Sequence, residues 1–340
     1  MSATPIRLAR PDLGDAELAA VAEVLASGQL TMGPQVEAFE RALARAVGTA
    51  DAVAVSSGTA AIHLALLALG VGPGDEVIVP AYTFPATANA VELCRARAVL
   101  VDVDPETFLV RPELVADAVT KRTRAVLAVH LFGRPVAWEE LQTAVAQDVV
   151  LVEDAAGALG ATYRGTPCGA LGLLACLSFH PRKIVTTGEG GAVTTDEAEL
   201  AAAVRRLRHH GIAAGHPTDI EAPGFNYRLP DVLCALGLRS SSASKASSPR
   251  ASAWPAGTES VSSTSSRRRQ PTRATGTAGR RTSSRSTGAT RRSRPCGQRG
   301  SRRRSARTPC IASPRTAIAV RFPARTRRSS GRLRFPSRPP

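Results

Sequence analysis

The chain has 340 residues, 43% of them hydrophobic, which is enough for two ordinary domains and at least one sizeable core. Its formal net charge of +16 is unevenly held: residues 1–239 carry 19 Lys and Arg against 27 Asp and Glu, a net of −8, and residues 240–340 carry 25 against 1, a net of +24. Nucleic acid or an anionic membrane is therefore suggested as a partner only for the last hundred residues, and the first 239 read as an acidic, soluble domain.

No apolar run approaches the roughly 18 residues of a membrane span, and Met1–Arg10 lacks the apolar core of a secretory signal, so a cytoplasmic location without membrane contact is expected. From Leu18 to Val47 apolar positions recur at helical spacing, interrupted by a turn at Gly28–Gly33. Short apolar runs at Val53–Ser56, Glu76–Val79, Ala98–Val103, Ala125–His130 and Val149–Glu153 then predict buried strands. Amphipathic segments at Ala60–Leu69, Ala86–Cys94, Pro112–Val119 and Trp138–Gln147 predict helices between them. This alternation implies an α/β fold over residues 50–210, a largely parallel sheet covered on both faces, with ligands at the carboxyl ends of its strands. Six cysteines (Cys94, Cys168, Cys176, Cys234, Cys296, Cys310) form no CxxC pair, and free thiols are expected with no metal site.

After Arg239 the chain turns to Ser, Arg, Pro, Thr, Ala and Gly with a single acidic residue, Glu259. Such a segment cannot bury enough apolar surface to offset chain entropy. One reading is a natural, disordered basic tail that binds nucleic acid; the other is a slipped reading frame. In the shifted frame each codon takes the last base of one residue's codon and the first two of the next. With C or G at free third positions, the codons from Arg239 toward Glu259 then read Q-L-E-R-L-E-G-x-V-A-x-R-E-R-L-A-G-R followed by Tyr, His or Asp, an amphipathic helix, and this frameshift reading is the expectation. The tail offers only Trp254, Phe322 and Phe335 as aromatics, too few to interleave with its arginines for base stacking, so no specific nucleic acid partner is expected. The predicted organisation is a large domain over 1–239, with its N-terminal helical segment, followed by a basic tail over 240–340.

The chemistry concentrates in four places. Ser178-Phe179-His180-Pro181-Arg182-Lys183 leads into a glycine-rich loop, Gly188-Glu189-Gly190-Gly191, and Lys183 is one of only two lysines in residues 1–239; the other, Lys121, lies beside Arg122 and Arg124. A lysine amine is the group that forms a Schiff base with an aldehyde cofactor and shuttles protons at the substrate carbon. Asp154 ends the apolar run Leu151-Val152-Glu153, where it either caps a helix or faces a pyridinium nitrogen. Ser56-Ser57-Gly58-Thr59 leaves a strand and opens a helix, so its amides can cradle a phosphate or simply cap that helix. Thr83-Phe84 follows another strand, where the ring either stacks on a flat ligand or joins the core.

In this order the motifs resemble the DegT/DnrJ/EryC1/StrS aminotransferases, a resemblance that also takes in Gly28-Gln29-Leu30-Thr31-Met32-Gly33-Pro34, Phe39-Glu40 and Gly224-Phe225-Asn226-Tyr227-Arg228-Leu229, and covers residues 5–239. The resemblance implies an aspartate-aminotransferase-type (fold type I) large domain with a mainly parallel mixed sheet. It implies pyridoxal 5'-phosphate as cofactor, Lys183 as the Schiff-base lysine, Asp154 as partner of the ring nitrogen and Phe84 stacked on the ring. Gly58, Thr59 and Ser178 would bind the phosphate, and Asn226 would reach the phosphate of a neighbouring subunit in a homodimer. The implied reaction moves an amino group, with glutamate as donor, to a keto group of a nucleotide-linked sugar. Two departures stand out: Gly157 replaces the Gln or His usual in the family, and residues 240–340 hold no counterpart of its small carboxyl-terminal domain. The alternatives are a sugar dehydratase of the same fold, whose members carry His at the lysine position, and an inactive relative that keeps the cofactor.

Overall fold

The computed structural model describes residues 9–247. The helical pattern of Leu18–Val47 resolves into α1 (Asp15–Ser27) and α2 (Pro34–Val47), each closed by a left-handed glycine, Gly28 and Gly48. The first turn of α2 is held from far along the chain. Asp231, fully buried at the start of the final helix, accepts hydrogen bonds from the amides of Gly33 at 2.7 Å and Gln35 at 3.1 Å. Acceptors at a helix start satisfy amides that have no carbonyl one turn behind.

Strand and helix then alternate as the sequence predicts: β1 (Asp51–Val55), α3 (Gly58–Ala68), β2 (Glu76–Pro80), α4 (Ala86–Leu93), β3 (Arg97–Val101), α5 (Pro112–Ala118), β4 (Thr123–Val129), α6 (Trp138–Ala144) and β5 (Val150–Asp154). A hairpin of β6 (Thr162–Tyr163) and β7 (Thr166–Pro167) precedes β8 (Leu174–Ser178) and β9 (Gly191–Thr195). Helix α7 (Ala198–Arg208), a second small hairpin of β10 (Ile212–Ala213) and β11 (His216–Ile220), and α8 (Asp231–Ser247) complete the described chain. Helix α6 stops three residues short of the expected Gln147, because the chain must turn at Ala146–Val149 to enter β5. Helix α8 passes the expected boundary at Arg239 and continues to Ser247; the rest of the 240–340 tail, with Cys296 and Cys310, lies outside the described residues.

Seven strands form one sheet in the order β1-β9-β8-β5-β4-β2-β3. All pairs are parallel except those made by β9, which runs antiparallel to both β1 and β8. Strands β8 and β9 were not among those expected. The run Leu173–Leu177 is apolar enough to signal a strand, but the short β9 reads as an extension of the glycine loop before it. The central strands are buried on both sides, as a sheet with two covered faces requires. Helices α3, α4 and α7 pack one face around Ile62, Leu66 and Val204, and α2, α5 and α6 cover the other with Phe39, Val115 and Leu141. Cys94, Cys168, Cys176 and Cys234 are buried free thiols. Among the described residues no helix is long and apolar enough to cross a membrane.

Candidate functional site

The topology brings all four chemical motifs to one edge of the sheet. Strands β1, β8, β5 and β2 point the same way, so the Ser57–Thr59 turn, Ser178, Asp154 and the Thr83–Phe84 loop all leave from carboxyl ends. Only β9 separates β1 from β8, and β8 lies directly beside β5. The crevice outside such ends is where α/β sheets bind ligands.

At β1 the chain turns into α3 with Ser57 as cap, its hydroxyl accepting from the Ala60 amide at 3.0 Å. The amides of Gly58 and Thr59 open this helix and have no carbonyl a turn behind them. A Cβ added at Gly58 would lie 2.9 Å from Ser178 Cβ and 3.3 Å from Ser178 Oγ, so only glycine lets the helix start approach the end of β8 this closely. Gly191 serves the same approach from the other side, since a side chain there would collide with the Ser57 carbonyl.

The loop that carries Lys183 is pinned at its base. Phe179 is fully buried, edge-on to Phe39 with ring centroids 5.1 Å apart; its amide donates to the Gly190 carbonyl at 2.9 Å and its carbonyl accepts from the Thr187 amide at 3.0 Å. His180 shapes the turn: its Nδ1 accepts from the Arg182 amide at 3.2 Å and its carbonyl from the Lys183 amide at 2.8 Å. That is a local structural task. Lys183 is half-buried, and a Cβ built on Gly157 would lie 4.0 Å from its Nζ. Gly157 thus leaves open the space beside the amine that a Gln or His would fill. Burial lowers the Lys183 pKa below that of a free lysine, against the opposing pull of the Asp154 charge.

Asp154 closes β5 at 5% exposure. Its Oδ2 accepts from Thr87 Oγ1 at 2.8 Å and its Oδ1 from the Ala156 amide at 3.2 Å. Burial raises its pKa, and the Thr87 hydroxyl, the Ala156 amide, Lys183 and His130 act in the opposite sense, in that order. The two shifts are consistent: each group stabilises the charged form of the other while the site desolvates both. Phe84, by contrast, is 75% exposed, its ring free rather than packed in the core.

Asn226 is also exposed, on a segment that runs beside the end of β1, where Ser56 donates its amide to the Tyr227 carbonyl at 2.8 Å. Its neighbours Phe225 and Tyr227 pack on His63, and none of its described contacts reaches Lys183 or Asp154. The structure thus brings Gly58, Thr59, Ser178, Lys183 and Asp154 to one edge of the sheet, leaves the Phe84 ring exposed on the loop after β2, and sets Asn226 on the segment beside the end of β1. Thr87 is the site residue that sequence reading missed. Its partner is 67 residues away, and only its place one helical turn after Thr83, at the head of α4, could have drawn attention to it.

A model of the DegT/DnrJ/EryC1/StrS aminotransferase family matches residues 11–254. GDP-perosamine synthase of Caulobacter vibrioides is 44% identical over 209 residues, 61% of this chain and 56% of that protein. Among solved structures, S. venezuelae DesV in complex with a ketimine intermediate is 40% identical with a TM-score of 0.64, covering 68% of this chain and 62% of that one. Spr1654 from Streptococcus pneumoniae in its PLP form is 32% identical with a TM-score of 0.68, covering 71% and 67%. The chain spans little more than half the length of the Caulobacter protein it matches. Sheet order, site geometry and the match over residues 11–254 agree: this chain belongs to the DegT/DnrJ/EryC1/StrS aminotransferase family.

Proposed function

We propose that the chain binds pyridoxal 5'-phosphate through Lys183 and transfers an amino group, with glutamate as donor, to a keto group of a nucleotide-linked sugar. The observation that carries this reading is the half-buried amine of Lys183 beside the buried, doubly hydrogen-bonded carboxylate of Asp154, at the edge of the sheet where α3 also begins. GDP-perosamine synthase, a relative by sequence, supports a nucleotide-linked sugar as substrate class.

The residues fit the cofactor. The cradle at Gly58, which a Cβ would fill, offers two helix-start amides and the Ser178 hydroxyl to a phosphate, at the positive end of the α3 dipole. Asp154 provides the buried negative charge that keeps a ring nitrogen protonated. Phe84 offers an open aromatic face to the ring, worth about 1 kcal/mol. The bound group supplies an electron-withdrawing pyridinium that stabilises charge on the carbon losing a proton. Lys183 is the residue that would hold the cofactor aldehyde through its amine and would serve as the proton-carrying group at the reacting carbon. Its lowered pKa raises the fraction of neutral amine available for both tasks.

A second copy of the chain completes the site in this reading, with Asn226 reaching the neighbour's phosphate. The exposure of Phe84, of Phe132 at 76% and of Ile184 beside Lys183 at 54% supports such a cover. The four buried free thiols suit the reducing cytoplasm.

The test is to add pyridoxal phosphate to the purified chain, reduce with borohydride and map the adduct. We expect it on Lys183, with glutamate-dependent amination of a keto sugar nucleotide. An adduct that persists in Lys183→Ala overturns the assignment.

A further inference from the structure

Asp154 is a buried carboxylate whose orientation is set from outside its own strand. Thr83 and Thr87 lie one helical turn apart where the loop after β2 enters α4. Thr87 is fully buried; its Oγ1 lies 2.8 Å from Asp154 Oδ2 and 3.0 Å from Thr83 Oγ1. A hydroxyl has one proton to give. A carboxylate claims it as the stronger acceptor, so Thr87 donates to Asp154 and accepts from Thr83. The Ala156 amide holds the other oxygen at 3.2 Å. With both oxygens engaged from different directions, the carboxyl group cannot rotate without leaving a buried polar atom unpaired.

The charged and titratable groups around Asp154 are Lys183 in the pinned loop, His130 after β4 and the Cys176 thiol opposite on β8. Burial works against the ionised carboxylate, and among the groups that favour it the Thr87 hydroxyl comes first, ahead of the cation of Lys183. Thr87 thus acts on the carboxylate directly, and Thr83 acts on it through Thr87.

Resting on the cofactor reading above, we propose that the Thr83–Thr87 hydroxyl pair is a positioning device that keeps Asp154 ionised and aimed, and so holds the proton on the ring nitrogen of bound pyridoxal phosphate. Thr87 touches neither substrate nor cofactor in this role; it acts through Asp154. If the pair were merely structural, its loss would lower stability and leave the protonation of the ring nitrogen unchanged.

The experiment loads the full chain with cofactor labelled with 15N in the ring and reads the nitrogen signal by NMR, alongside thermal melting and cofactor affinity. In the wild type the signal is expected at the position of a protonated pyridinium. In Thr87→Val, which keeps the shape and removes the hydroxyl, it moves toward the unprotonated position and the cofactor dissociation constant rises roughly tenfold, the scale of one lost hydrogen bond to a charged group. Thr87→Ser restores the wild-type signal, and Thr83→Val gives a smaller displacement in the same direction. A wild-type nitrogen signal in Thr87→Val overturns the proposal, whatever happens to its melting temperature. If that variant does not fold, an unchanged signal in Thr83→Val overturns it instead. A wild type that takes up no cofactor removes the cofactor reading itself, whereas uptake with unshifted variants removes only this inference.

Discussion

Glu153 and Asp154 are neighbours on β5, both buried, yet their side chains face opposite sides of the sheet and meet different surroundings. Glu153 is saturated: Oε1 accepts from the amides of Leu171 and Gly172, both at 2.8 Å, and Oε2 from the Gly169 amide at 2.7 Å and from His130 Nε2 at 2.9 Å. His130 is engaged at both ring nitrogens in turn, with Nδ1 accepting from the Val136 amide at 3.2 Å and Nε2 meeting Glu153. Asp154 has one donor per oxygen and interacts with the Lys183 amine, beside which Gly157 leaves space. A carboxylate with every lone pair occupied clamps the loop at Gly169–Gly172 to the sheet; one with capacity left over can meet a ligand. Burial alone does not distinguish the two, but hydrogen-bond saturation does.

Substitutions can break this contrast. The largest effect is expected from Lys183→Ala, which removes the amine that interacts with Asp154: covalent capture of the cofactor should vanish while the fold persists, checked by absorbance and circular dichroism. Glu153→Gln should do the reverse. An amide offers one acceptor oxygen to a cage of four donors, so buried N–H groups lose partners, and about 2–4 kcal/mol of stability should go, read as a lower urea midpoint at unchanged slope. Cofactor capture by the folded fraction should survive.

Asp154→Asn keeps the shape and removes the charge, so the two carboxylates should separate here. Cofactor affinity should fall by about 1.5–3 kcal/mol, the range for a hydrogen bond to a charged group. Stability of the cofactor-free protein should not fall, because the raised Asp154 pKa means that its ionised form is disfavoured by folding at neutral pH. A loss of stability as large as that of Glu153→Gln would erase the distinction.

A pH titration sharpens the Lys183 side. Its folded pKa lies below the unfolded value, so between the two the folded chain holds a neutral amine while the unfolded chain is protonated. Folding stability contributed by this group therefore rises with pH through that window, and the rate of cofactor capture should rise with a midpoint below that of a free lysine. The smallest effect belongs to Phe84→Ala: about 1 kcal/mol of cofactor affinity, a few-fold in dissociation constant, with no change in melting, because the ring is 75% exposed and supports little of the core.

Much of the site was legible because chemistry forces residue types. Lys183 stood out as one of two lysines in an acidic stretch of 239 residues, Asp154 as a carboxylate ending an apolar run, and Gly58 as a helix start after a strand. Thr87 and the His130–Glu153 pair were not legible. Thr87 looks like any polar residue at a helix head, and its partner lies 67 positions away; His130 and Glu153 are 23 apart, and their cage is built from backbone amides that any sequence possesses.

By itself the sequence determined the alternation of strands and helices, through the periodicity of apolar residues, and the inventory of candidate groups, Lys183, Asp154 and the Gly58–Thr59 turn. Only the tertiary structure decided that β9 inserts antiparallel between β1 and β8, that the ends of β1, β8, β5 and β2 share one edge, and that Asp154 rather than Glu153 turns toward Lys183. The physical reason is that periodicity is local. Strand order and the pairing of buried polar groups depend on contacts between residues far apart in the chain, which the pattern along it does not encode.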